Sequence, residues 1–187
     1  MRIISGSFRG KKILEPKDIK TRPLKDLTKE SIFNIINHSK KFNINLKNSE
    51  VLDLFSGTGS FGLECLSREA KFVTFIENYI EILPILKKNL QNLKSVNNYK
   101  IIEKNILNNF NLKSLNKQFD LIFLDPPYKE KDLENLINSI IKFKILNING
   151  ILIIHRHKKE RSNLSNIFKI VEEKTYGISK IIFGSYF

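Results

Sequence analysis

Apolar residues recur along the chain in two alternating patterns, and the alternation sets out most of its elements. Dense apolar runs rich in β-branched and aromatic residues at 50–55, 72–77, 99–103, 120–124 and 150–155 predict strands, the one at 120–124 buried. Between several of them, apolar positions three and four residues apart predict helices over 62–68, 80–93 and 133–143. Strands separated by helices need crossover connections, which are right-handed and leave the strands parallel. The rhythm changes at the end of the chain, where 168–176 and 178–186 flank Gly177 and predict an antiparallel pair at one sheet edge. It also differs at the start. Residues 2–14 alternate loosely around Ser5-Gly6-Ser7 and Arg9-Gly10, as a short basic hairpin would. From Pro23, the positions Leu27, Ile32, Phe33, Ile35 and Ile36 form the stripe of a helix ending near Ser39. The expected fold is therefore α/β: a mostly parallel sheet with an antiparallel C-terminal edge pair, preceded by a small N-terminal β-hairpin and helix. Residues 1–44 are expected to form an extension and 45–187 the main domain.

A chain of 187 residues can bury about 70% of its unfolded surface around one core. Cys65 is the single cysteine, so no internal disulfide is expected, and no Cys/His cluster has the spacing of a zinc site. No apolar stretch approaches the length of a membrane span. A soluble, cytoplasmic monomer with no membrane partner and no metal is the expectation. The formal net charge of +13, from 32 Lys+Arg against 19 Asp+Glu, is the footprint of a polyanion partner. A general richness in Lys, Asn and Ile would raise that charge with no functional cause, so its distribution matters more. The first thirty residues hold Arg2, Arg9, Lys11, Lys12, Lys17, Lys20, Arg22, Lys25 and Lys29 against Glu15, Asp18, Asp26 and Glu30, which favours nucleic acid. A second basic run, His155-Arg156-His157-Lys158-Lys159, reads as a solvated strand end, and His38 and Cys65 as ordinary helix residues.

The chemistry-bearing residues stand where strands end, the place where open α/β sheets bind ligands. After the strand at 120–124 comes Asp125-Pro126-Pro127-Tyr128. Two prolines end the strand in a stiff extended turn that lacks N–H groups, so its carbonyls are left to accept, and the Asp125 carboxylate adds acceptors. Convergent acceptors beside the Tyr128 ring suit a planar ligand bearing an amino group, for which stacking contributes about 1–3 kcal/mol per base. After the strand at 50–55, Gly57, Gly59 and Gly62 satisfy G-x-G-x-x-G ahead of a helix, and Glu77 closes the next strand, where a carboxylate can accept ribose hydroxyls. A nicotinamide dinucleotide and S-adenosylmethionine both fit a glycine loop and a ribose-binding acid. Asp53 argues for the second, because a carboxylate there suits an ammonium and would repel a pyrophosphate; its bland alternative is a helix-capping role.

The set Asp53-x-Phe55-x-Gly57-x-Gly59, Glu77 and Asp125-Pro126-Pro127-Tyr128 resembles the class I S-adenosylmethionine-dependent methyltransferases that act on exocyclic amines. The opening Met1-Arg2-Ile3-Ile4-Ser5-Gly6-Ser7-Phe8-Arg9-Gly10-Lys11, with Thr21-Arg22-Pro23 and Glu30-Ser31-Ile32-Phe33-Asn34, is similar to the bacterial 16S rRNA guanine-N2 methyltransferases of the RsmD type. The resemblance covers nearly the full length. It implies a Rossmann-like class I sheet, with Asp53, Gly57, Gly59 and Glu77 as donor contacts and Asn105, followed by apolar Ile106, at the adenine. It also implies that S-adenosylmethionine is turned to S-adenosylhomocysteine, and that the partner is 16S rRNA or the assembling small ribosomal subunit. The chain departs from the family pattern at Leu24, where threonine is usual, at Lys29 (arginine), at Asn105 (aspartate in many) and at His155 (glutamate commonly).

On this reading Asp125 and the Pro126 carbonyl accept the amine hydrogens, Tyr128 stacks on the base, and Arg2, Arg9, Lys11, Lys12 and Arg22 hold phosphates. The rivals are an adenine-N6 methyltransferase on nucleic acid, a nicotinamide-dependent dehydrogenase, and a non-enzymatic RNA-binding ribosome assembly factor.

Overall fold

The computed structural model describes residues 1–16, 24–108, 110–127, 132–160 and 164–186. Seven strands form one sheet in the order β3-β2-β1-β4-β5-β7-β6. They are β1 (Glu50–Leu54), β2 (Phe72–Glu77), β3 (Tyr99–Glu103), β4 (Phe119–Leu124), β5 (Leu146–His157), β6 (Lys169–Tyr176) and β7 (Ser179–Ser185). β1 to β5 pair in parallel, and β7 pairs antiparallel with both β5 and β6, as the change of rhythm near Gly177 predicts. The reversal of order between β1 and β4 leaves a crevice at their C-terminal ends, which receives the glycine loop and Asp125.

Among the described residues four α-helices complete the fold: α1 (Asp26–His38), α2 (Ser60–Ser67), α3 (Leu83–Asn92) and α4 (Leu133–Lys142). α2 begins two residues earlier than the pattern suggests and α3 three later. Pro84 stands in the first turn of α3, where a missing N–H costs nothing. β5 extends beyond its predicted bounds on both sides, and two short 3₁₀ turns, Leu112–Leu115 and Leu164–Asn166, carry no apolar period that would announce them. Among the described residues no helix is long and apolar enough to cross a membrane.

Alternation along the strands divides the core into two layers. One sheet face carries Leu52, Leu54, Ile76, Ile122, Leu124, Leu152 and Ile154, covered by Leu133, Leu136, Ile137 and Ile140 of α4. The other carries Val51, Val73, Phe75, Leu121, Phe123, Ile151 and Ile153. Against that second face pack α2, α3 and the N-terminal segment, through Ile3, Ile13, Leu24, Ile32, Phe33 and Ile36. Phe61 stacks between Phe33 and Phe123, at centroid distances of 5.1 and 4.0 Å, and so joins α1, α2 and β4 in one column. The N-terminal residues thus share the core of the sheet. Their predicted hairpin is short: Arg2 bridges Lys12, backbone hydrogen bonds join Ile3 to Lys11 and Gly10 and join Met1 to Ile13, and the loop between them also pairs with α2, where the Ser7 N–H donates to the Ser67 carbonyl at 2.8 Å. Ser67 Oγ accepts from the Phe8 N–H, and the Glu64 carboxylate accepts from the N–H groups of Ile4 and Ser5 at 2.7 and 2.9 Å.

Candidate active site

The register of the parallel strands assembles the site. Asp53 pairs with Phe75 on one side and with Phe123 on the other, and Phe123 pairs with Ile153. Side chains two residues further along a strand return to the same face, so Glu77, Asp125 and His155 form the next row at the C-terminal rim. Phe55, their counterpart after β1, has φ +58°, a conformation rare for a bulky residue, and it turns the chain out of the sheet into the glycine loop. Gly57 and Gly59 continue the turn at φ +53° and +80°. A Cβ on Gly59 would lie 2.5 Å from Leu86 Cδ1, whereas one on Gly57 would meet nothing within 4 Å, so Gly57 faces open space where a ligand can approach the backbone.

Two carboxylates fasten this loop. Asp53 Oδ2 accepts from the Gly62 N–H at 3.0 Å, the third residue of α2, and so caps that helix. Glu77 Oε2 accepts from Gly57 at 2.7 Å, while its Oε1 accepts from Asn78 and Tyr79, both at 2.8 Å. Three of roughly four lone-pair sites on Glu77 are thereby used by the backbone. Asp53 is fully buried. Burial pushes its carboxyl well above the usual range against the pull of the Gly62 N–H, and the charges of Asp125 and Glu77 push it further. Three acids therefore crowd one rim. Such a set suits a ligand that brings positive charge, as a sulfonium and an ammonium do, and disfavours a pyrophosphate.

After β3, Asn105 is half-buried and its Oδ1 accepts from the Leu107 N–H at 2.9 Å, while Ile106 is buried beside it in the α4 layer. With that bond made, the Asn105 carbonyl oxygen retains one lone pair as an acceptor.

At the other side of the rim, Pro126 is buried and Pro127 exposed. Tyr128 and Arg22 lie outside the described residues. The basic run after Ile154 is not the solvated strand end that its composition suggests. His155 and Arg156 are 7% and 6% exposed, and they turn to Asp125 and Pro127. His155 Nδ1 lies 2.8 Å from Asp125 Oδ1, and Arg156 Nη1 donates to the Pro127 carbonyl at 3.2 Å while its other arm pairs with Glu160. The cause is the cross-strand partner: the antiparallel strand β7 covers β5 as far as His157, which buries residues that would otherwise project past a sheet end. The Pro127 carbonyl is thus engaged by Arg156.

The N-terminal basic residues divide. Arg2, Arg9 and Lys12 are exposed, whereas Lys11 is half-buried, with Nζ donating to the Asn92 carbonyl and lying 5.5 Å from the centre of the Phe8 ring. Lys29 is completely buried, with Nζ donating to the Arg2 carbonyl at 2.7 Å and standing 3.7 Å from Glu64 Oε2.

A family model described as Conserved hypothetical protein 95 matches residues 1–185. The chain is 34% identical over 179 residues to the ribosomal RNA small subunit methyltransferase D of Haemophilus influenzae, covering 95% of this chain and 90% of that protein. It is 35% identical over 158 residues to the protein of the same name from Buchnera aphidicola, covering 84% of this chain and 78% of that one. Among solved structures, a provisionally named methyltransferase of Escherichia coli superposes with a TM-score of 0.79 at 26% identity, over 100% of this chain and 98% of its own. A provisionally named methylase of Haemophilus influenzae gives 0.75 at 33% identity with the same coverage. With the Rossmann-like class I methyltransferase sheet and a match over nearly its whole length, the chain belongs to the Conserved hypothetical protein 95 family, the RsmD family.

Proposed function

We propose that this chain transfers a methyl group from S-adenosylmethionine to the exocyclic N2 amine of a guanine in 16S rRNA, the guanine-966 type of reaction. The observation that carries the reading is the single rim on which a buried acid cluster meets the Asp125-Pro126 acceptors. Asp53, Gly57, Gly59 and Glu77 hold the donor, with Asn105 and Ile106 at its adenine. Bound there, the donor supplies a methyl group whose bond to sulfur breaks, the electron pair staying on sulfur, as the bond to nitrogen forms. The guanine amine is a weak nucleophile because its lone pair is delocalised into the ring. Asp125 and the Pro126 carbonyl accept its two hydrogens, which localises that pair and aims it out of the base plane. The Asp125 carboxylate can also take the proton that the nitrogen gives up. Tyr128 supplies the stacking face for a base drawn out of its helix. The enzyme acts as a cytoplasmic monomer on 16S rRNA or the assembling small subunit.

Two measurable consequences arise here. A cationic donor favours ionised Asp53, so its pKa is lower in the complex than in the free protein. Binding then releases protons, and donor affinity rises with pH across the window between the two values. Calorimetry should show a binding enthalpy that depends on the buffer; a buffer-independent enthalpy and a flat affinity profile would contradict it. Residues 1–44 form the RNA-binding extension, with Arg2, Arg9, Lys11, Lys12 and Arg22 toward phosphates. Replacing exposed Arg2, Arg9 and Lys12 together should flatten the slope of log K against log salt by about 2, at roughly 0.7 per phosphate contact. An unchanged slope would remove the extension from the RNA interface.

The reading itself is tested by supplying small ribosomal subunits from a strain lacking this activity with donor carrying a labelled methyl group. Label entering 16S rRNA supports it, and label in protein or in neither overturns it.

A further inference from the structure

β5 brings to Asp125 a side chain that lies in a run reading, by composition, as a solvated strand end. The register that pairs Leu124 with Ile154 sets their successors Asp125 and His155 side by side, and Nδ1 stands 2.8 Å from Oδ1. A carboxylate at a strand end rotates about its side-chain bonds unless one oxygen is held. The geometry points to His155 as a positioning residue for Asp125: its Nδ1–H holds Oδ1 and aims Oδ2 at the amine that accepts the methyl group. This rests on the reading of Asp125 as the acceptor of that amine.

The contact also makes the site sensitive to pH. Facing a carboxylate, Nδ1 must carry hydrogen, since two acceptors at this distance would repel. A neutral imidazole leaves Asp125 its full charge for drawing on the amine hydrogens, whereas an imidazolium neutralises it. Among the described residues, the charged groups around His155 are Asp125 from β4 and Arg156 and Glu160 from its own strand and the turn after it. From β7, apolar Ile181 stands opposite His155, and Lys180 pairs with Arg156 and reaches the Glu160 carbonyl at 3.3 Å. Burial disfavours the charged ring, but the charge and hydrogen bond of Asp125 outweigh it, Arg156 opposing and Glu160 assisting. The pKa of His155 is therefore raised above its ordinary 6.5. Because the neutral form is the active one, the rate falls as pH drops through that raised value.

The test compares wild type, Asp125→Ala, His155→Ala and His155→Asn in methyl transfer to small-subunit RNA across pH, with donor binding titrated alongside. His155→Ala should lower kcat about 10- to 100-fold, with donor Kd and RNA KM held within about threefold. His155→Asn, whose amide N–H can stand in for Nδ1–H, should recover most of the rate and lose the pH step. In the ligand-free wild type, NMR should find His155 titrating above its ordinary value, and Asp125→Asn should bring it down. The inference is overturned by wild-type kcat in His155→Ala, by His155→Asn as impaired as His155→Ala, or by an unmoved pH step in His155→Asn. If donor titration shows His155→Ala not to fold, the His155→Asn profile and the NMR titration decide. Full activity in Asp125→Ala would instead remove the underlying reading of the site.

Discussion

Asp125→Ala should lower single-turnover methyl transfer by about 100- to 1000-fold, the range found when one preorganised polar group facing developing charge is deleted. The carboxylate stands at the crevice between β1 and β4, and Asp53, Glu77 and the glycine loop keep their own partners without it. Donor affinity should therefore change little, and relief of Asp53 from one neighbouring negative charge lowers its pKa slightly. The two effects are separated by titrating donor against the variant and then measuring a single turnover at saturation. Equal loss of binding and transfer would mean that Asp125 supports the donor site and not the amine.

Glu64→Ala should destabilise the folded protein by about 3–5 kcal/mol, the cost of leaving one partner of a buried ion pair uncompensated. Glu64 and Lys29 are both completely buried, and burial already holds the Lys29 amine below its usual value while Glu64 pulls the other way. The same carboxylate accepts from Arg68 Nε at 2.9 Å and from the backbone of Ile4 and Ser5. Its removal therefore strips three donors of their acceptor, leaves Lys29 without its buried counter-ion and loosens the loop that carries Arg9. Urea unfolding should show a lower midpoint with little change in slope. A loss under about 1 kcal/mol would mean that Lys29 finds other compensation.

Much of this architecture is legible in the chain, because a strand period of two and a helix period near 3.6 leave different marks. The strand ends that carry Asp53, Glu77 and Asp125 are read from those marks, and so is the antiparallel turn at Gly177. What escapes is whatever depends on register between distant segments. The basic letters from His155 to Lys159 look solvated until β7 is laid against β5, and Asp125 meets His155 only once β4 and β5 are aligned. Matching the residue after the apolar run of each parallel strand would have paired them. Lys29 and Glu64 look like surface positions of two helices. Their burial follows from Phe33, Phe61 and Phe123 stacking in one column, which draws α1 onto α2. Lys11 is likewise half-buried, held by the Asn92 carbonyl at the end of α3, so a count of basic residues overstates the surface offered to phosphate.

The most direct test of the amine-directed site is the identity of the methylated nucleoside. 16S rRNA in small subunits that lack the modification should be methylated by the wild-type protein, digested to nucleosides and resolved by mass spectrometry against standards. The account predicts N2-methylguanosine as the single new nucleoside, absent when Asp125→Ala is used. A methyl group on adenine N6, on a ring carbon or on a ribose oxygen would contradict it.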